Sequence, residues 1–196
     1  MFGRRSAAIL LCVAAAAVLT GCGGDDTSDA DLSSADPTRT PLTGVTSEQL
    51  SGYSSSEKSA YQEAVAAVQR NLRVGLRVYR EGEATPAARR ALESIYAGQE
   101  LEDEWETLRA MEADGGYLDG SAEVVWTRPT RILVSGSEGT VNLLACVDRR
   151  DIRAYERDQG EIAQPVTSER AVFELTVDLG DGGIWRVSDG EETDSC

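Results

Sequence analysis

The sequence predicts an α+β fold, with three N-terminal helices packed on a curved antiparallel sheet of about five strands. Three observations predict it. Apolar residues recur at helical spacing between about residues 56 and 114. From Val124 onward the apolar period drops to two, and Gly- and Asp-rich turns such as Asp181-Gly182-Gly183 punctuate the later segments. Helices first and strands afterwards is the order of a fold whose helices cover one face of an antiparallel sheet.

Ser54-Ser55-Ser56-Glu57 offers helix caps, and Tyr61, Val65, Val68, Leu72, Leu76 and Tyr79 follow at spacings of four and three. Together they predict one apolar face on a helix from about 56 to 81. Thr85-Pro86 is a cap followed by a first-turn proline, opening a second helix through Leu92, Ile95 and Tyr96 to Gly98. A third, Leu101 to Asp114, places Leu101, Trp105, Leu108 and Met111 on one face, and Gly115-Gly116 ends it.

The strands come next. Val124 and Trp126 begin one, and Arg131 to Val134 is a short strand bounded by Pro129 and Gly136. Thr140 to Asp148 is longer and carries Cys146. Ala171 to Leu179 sets Phe173, Leu175, Val177 and Leu179 on one face. After the Asp181 turn, Ile184 to Ser188 is the last strand, and Asp189 to Asp194 reads as a solvated acidic end. Residues 151–168 fit either a strand or an irregular crossover.

Ahead of this domain, residues 53–196, lies a segment of a different kind. From Gly23 to about Gly52 the chain is rich in Gly, Asp, Ser, Thr and Pro without apolar periodicity, too polar to order itself. It is expected to be an acidic tether over residues 22–52, reaching about 30 Å as a flexible coil. Residues 1–21 pair Arg4 and Arg5 with an apolar run from Ala7 to Leu19. That run is short of the roughly 20 residues a membrane span needs and suits a signal-peptide core. Its end, Leu19-Thr20-Gly21-Cys22, resembles a bacterial lipobox. The resemblance implies cleavage before Cys22, lipidation of that cysteine and a place at the extracytoplasmic face of the cell membrane. The alternative is ordinary cleavage nearby with Cys22 left as a thiol.

Removing residues 1–21 takes away two arginines and no acids, leaving 17 basic against 34 acidic residues, a net charge of −17. Such a surface repels phosphate backbones and anionic headgroups, so nucleic acid is excluded and the acyl chains are expected to hold the membrane. Lys58 is the only lysine beside 18 arginines, a coding bias of high-GC organisms. The absence of histidine removes the commonest general base, metal ligand and pH switch. With Cys22 lipidated, Cys146 and Cys196 are the pair left to bond in an oxidising compartment. Two free thiols are the alternative. Two cysteines without histidine make no zinc site, and no metal or cofactor is expected.

The element order, the size and the ending, from Ser168-Glu169-Arg170 through the Phe173 strand to Gly183-Ile184-Trp185-Arg186-Val187, resemble an NTF2-like cone domain. Such domains recur in actinobacterial secreted lipoproteins, and a cystatin-like arrangement is the competing architecture. The resemblance implies a pocket at the mouth of the cone, for which Tyr96, Trp105, Tyr117, Trp126, Phe173 and Trp185 are the large side chains available. The competing reading is that they fill the core. Family members with activity, of the SnoaL-like type, place Asp, His or Tyr in that pocket. Here no histidine exists and no acid stands in a motif that marks it as buried, so a non-catalytic binding or accessory role is expected, with a small apolar ligand or an envelope protein as partner.

Arg70, Arg73, Arg77 and Arg80 fall within about an 80° sector of the first helix. They make a docking face for an acidic partner or lipid headgroups, or they pair with the acidic third helix, Glu100, Glu102, Asp103, Glu104 and Glu106. Asp178 to Gly183 lacks the alternating oxygen ligands of a calcium loop and is expected to be a hairpin.

Overall fold

The computed structural model describes residues 49–162 and 169–196. The leader 1–21, the lipidation candidate Cys22, the acidic segment up to residue 48 and the last part of the undecided stretch, 163–168, lie outside the described residues. The chain is α+β. Helices α1 (Ser55–Glu81), α2 (Pro86–Glu93) and α3 (Gly98–Ala113) precede strands β1 (Gly116–Asp119), β2 (Glu123–Ser135), β3 (Glu138–Asp148), β4 (Arg153–Glu156), β5 (Gly160–Ile162), β6 (Arg170–Gly180) and β7 (Ile184–Ser195).

Local chemistry accounts for the first helix. Ser54 closes a capping box: its Oγ accepts from the Glu57 amide at 3.3 Å, while the Glu57 carboxylate accepts from the Ser54 amide at 2.7 Å. The stripe Tyr61, Val65, Val68, Leu72, Leu76 and Tyr79 is buried along the whole length. Gly82 ends the helix in the left-handed conformation, φ +61°. A Cβ there would stand 2.6 Å from the Gly116 carbonyl oxygen, so only glycine fits where the end of α1 meets β1.

The single sheet of about five strands is corrected to two antiparallel sheets, one ordered β2-β3-β6-β7 and one ordered β1-β4-β5. The short strands of the second sheet run three or four residues each, too few to display a period. Arg131–Val134 is not a separate strand either. β2 runs on through Pro129, where the register with β3 shifts between Pro129 and Arg131. β2 is an edge strand, where a residue without an N–H removes no interior ladder bond.

α1 packs on β1, β2 and β7 and reaches β3 and β6. The faces turned toward it carry Val141, Leu143, Ala145 and Val147 of β3 and Ala171, Phe173, Leu175 and Val177 of β6, all buried. Leu50 joins the same core, three residues ahead of the expected domain start at 53. α2 stops at Glu93 and not near Gly98. The segment after it is taken by β7: the Val187 amide donates to the Ile95 carbonyl at 3.0 Å, and the Ala97 amide donates to the Val187 carbonyl at 2.9 Å. That parallel bridge and the Arg70 guanidinium, which donates to the Trp185 carbonyl at 2.6 Å, occupy part of an otherwise open sheet edge.

The last strand extends to Ser195, well past Ser188, so the acidic end Asp189 to Asp194 is sheet, with Asp189, Glu191 and Asp194 solvent-exposed on it. Cys196 follows it and is bonded to Cys146 of β3. Cys146 is the cross-strand neighbour of both Trp126 and Val172.

The bond closes a loop 50 residues apart in sequence. Its reduction, or Cys146→Ala, is expected to lower unfolding free energy by roughly 2–4 kcal/mol in urea titrations with and without reductant. Gly82→Ala adds strain at a positive φ and a backbone clash, and is expected to cost at least about 2 kcal/mol in the same assay.

Candidate functional site

The six large side chains expected to line a cone pocket do not converge on one cavity. Tyr96, Phe173 and Trp185 are 1 %, 1 % and 5 % exposed and fill the core. Trp185 donates from Nε1 to Glu63 at 2.7 Å, and Phe173 lies under the Arg149 guanidinium at 5.4 Å. Trp105 is half-buried on α3, with Arg89 over its ring at 5.5 Å. Trp126 is half-buried on β2. Tyr117 lines a surface groove beside the end of α3.

The third helix presents a different face from the one expected. Its fully buried stripe is Glu100, Glu104 and Leu108, at spacings of four, with Leu101, Trp105 and Met111 half-buried beside it. No sequence motif marks an acid as buried, yet Glu100 and Glu104 are. Glu104 accepts from the Tyr79 hydroxyl of α1. The Tyr96 hydroxyl, beside Glu104, donates to Asn71 Oδ1 at 3.3 Å. Among the described residues, Glu100 Oε1 and Asn71 Nδ2 have no hydrogen-bond partner. Burial, and then the charges of Glu104, Asp189 and Asp103, push the Glu100 carboxyl up to about 8. Burial, followed by the Glu104 charge, raises Tyr79 and Tyr96 well above the ordinary phenol range. The polar residues Asn71, Tyr79 and Tyr96 on inner faces were the available signal for this cluster, since buried polar groups need partners.

The first concavity is a groove of about 280 Å³ between the end of α3, β1 and β4. Ala110 and Met111 form one wall, and Tyr117 and Tyr155 the other. The two rings are cross-strand partners, stacked with centroids 5.0 Å apart and planes 13° apart. Asp114 and Glu156 stand at the groove. The second, of about 300 Å³, is lined by Ser121, Ala122, Glu123, Asp148, Arg150 and Asp151. There the hydrogen-bonded Arg150 guanidinium, joined by Arg170, holds Asp148 well below the usual carboxylate range.

The arginine stripe does not pair with α3. Arg80 binds Asp119 of β1 at 2.8 Å, and Glu102 of α3 binds Arg89 of α2 at 2.5 Å. Glu100 and Glu104 face inward. Arg70 is half-buried, and burial, with Arg186 and Arg73 nearby, lowers its pKa. Arg73 and Arg77 are exposed and in no ion pair or hydrogen bond among the described residues. Among the described residues no group of three or more His, Cys, Asp or Glu side chains is placed to hold a metal ion, and no described helix is long and apolar enough to cross a membrane. Asp181 to Gly183 is a hairpin turn, with Gly182 and Gly183 at positive φ.

No family model matches the chain, and no curated protein matches it. Among solved structures, the intermembrane space region of the chloroplast protein ARC6 is similar over 71 % of this chain and 97 % of its own, at 11 % identity and a TM-score of 0.48. A de novo designed β-sheet protein is similar over 68 % of this chain and 92 % of its own, at 15 % identity and a TM-score of 0.30. Likenesses this distant carry no argument about fold or function.

The Glu100 carboxyl is raised from 4.5 to about 8, so the folded chain holds a proton that the unfolded chain releases. Its contribution to stability is complete below pH 4.5 and is lost as pH rises through 8. In urea titrations the wild type is expected to lose roughly 2–4 kcal/mol between pH about 5 and about 9. Glu100→Gln, a neutral mimic, should show much less of that loss. Parallel pH curves for the two proteins would contradict the assignment.

Proposed function

We propose that the chain is a lipid-anchored, extracytoplasmic binding or accessory protein of the cell envelope, non-catalytic, whose domain is a variant of the NTF2-like cone. The observation that carries this reading is the Cys146–Cys196 disulfide. Such bonds persist in oxidising compartments and are rare in the cytosol, which agrees with an export leader ending in Leu19-Thr20-Gly21-Cys22. The long helix laid across an antiparallel sheet supports the cone relationship, while the second small sheet departs from the expected single one. A small ligand is then held in the groove beside Tyr117 and not beneath α1, where Tyr96, Phe173 and Trp185 pack the core. A SnoaL-like pocket enzyme is favoured less, since Glu100 and Glu104 line neither concavity.

Exposed Arg73 and Arg77, unpaired among the described residues of an acidic protein, favour a second reading, a scaffold subunit of an envelope or secretion complex.

Cys22→Ser is expected to release the protein from membranes or leave it with an unprocessed mass in fractionation and mass spectrometry. Unchanged retention with a normal mature mass would overturn the anchor. Reversing both charges, Arg73→Glu with Arg77→Glu, should abolish crosslinks to an acidic partner in membranes while shifting the urea midpoint little. Intact crosslinking would remove the scaffold reading.

A further inference from the structure

We propose that the groove between α3, β1 and β4 binds a small organic cation, a protonated or quaternary amine with an apolar body. The proposal rests on the reading of the chain as a binding domain. Its failure leaves that reading's own test, membrane retention through Cys22, untouched.

Shape and lining come first. At about 280 Å³ the groove is at the small end of ligand sites. Ala110 and Met111 offer apolar contact, and the Tyr117–Tyr155 pair, each ring covering one face of the other, adds aromatic surface. Aromatic faces attract cations through the ring quadrupole, the more so where water is partly excluded.

Charge is the second, independent observation. Asp114 and Glu156 stand at the groove, and neither is in an ion pair among the described residues. The neighbouring cations are committed elsewhere. Arg109 pairs with Glu106 at 3.8 Å, and Arg157 reaches Glu83 at 3.3 Å and the Glu81 carbonyl at 2.7 Å. Arg153 is turned to the Arg150 and Ile152 carbonyls.

The helix adds to this field. Asp114 is the C-cap of α3, whose last turn carries no basic residue. A helix C-terminus already presents partial negative charge from its unpaired carbonyls, and an acid placed there is unfavourable without a compensating cation. Tyrosine surface, two carboxylates and the negative end of a helix therefore converge on one small concavity. An anion is repelled by that field, and a bare metal ion gains nothing from the apolar walls. A cation with an apolar body satisfies both.

Choline and dimethylbutanol, in which carbon replaces the charged nitrogen, are the probes. Amide NMR on the full chain reads binding at Asp114, Tyr117 and Tyr155. Choline is expected to shift these amides and to bind at least about tenfold more tightly than the neutral isostere at matched ionic strength. Tyr155→Ala, or Asp114→Asn with Glu156→Gln, should each weaken choline by about tenfold. The unchanged spectrum of the remaining amides serves as the check on folding, and the conservative Tyr155→Phe, which keeps the ring, should bind as wild type. Equal binding of the isostere, no shift at roughly 50 mM choline, or binding indifferent to the double amide variant would overturn the proposal.

Discussion

The Glu104 carboxyl and the Tyr79 hydroxyl tie α3 to α1 inside the core, and much of the molecule is arranged around that contact. Tyr79 closes the apolar stripe of α1 one turn before Gly82, where the helix gives way to the β1 junction. Glu104 lies on the buried stripe of α3, one turn ahead of Leu108. On the same helix Leu101 and Trp105 are half-buried, and Ala110 and Met111 stand along the groove opposite Tyr117 and Tyr155. Tyr96 completes the cluster from a segment that is itself bonded to β7 on both sides of the residue.

A chain with no histidine and a large excess of acids places two of those acids where water does not reach. The charged neighbours of Glu100 are Glu104 and Asp103 on its own helix and Asp189 on β7, none of them a cation. A neutral carboxyl can donate as well as accept, and so can be accommodated among tyrosines and an asparagine at a fraction of the cost of a buried charge. The same helix, α3, also forms one wall of the groove, through Ala110 and Met111.

The first helix was legible almost to the residue, because a capping box opens it and a long apolar stripe follows. The α+β order was legible from the change in period. The rest depended on contacts made far away in sequence. α2 looked longer because Ile95 and Tyr96 continue its apolar pattern, yet Val187 of β7 takes their backbone. Pro129 looked like a strand boundary, and the edge position of β2 lets the strand pass through it. β7 looked finished at Ser188 because acids follow, whereas pairing with β6 and the Cys146 bond carry it to Ser195. In the candidate site, Tyr117 was legible as a large side chain near a turn. Its partner Tyr155 lay in a stretch without a period, and Glu100 and Glu104 were hidden among acids that an amphipathic reading assigns to solvent.

The claim that α3 carries a neutral, buried Glu100 carboxyl into the core is tested most directly by a residue-resolved carboxyl NMR titration of the glutamates. The account predicts a Glu100 midpoint near 8. A Glu100 midpoint of about 4 to 5, the value of a carboxyl in water, would contradict it.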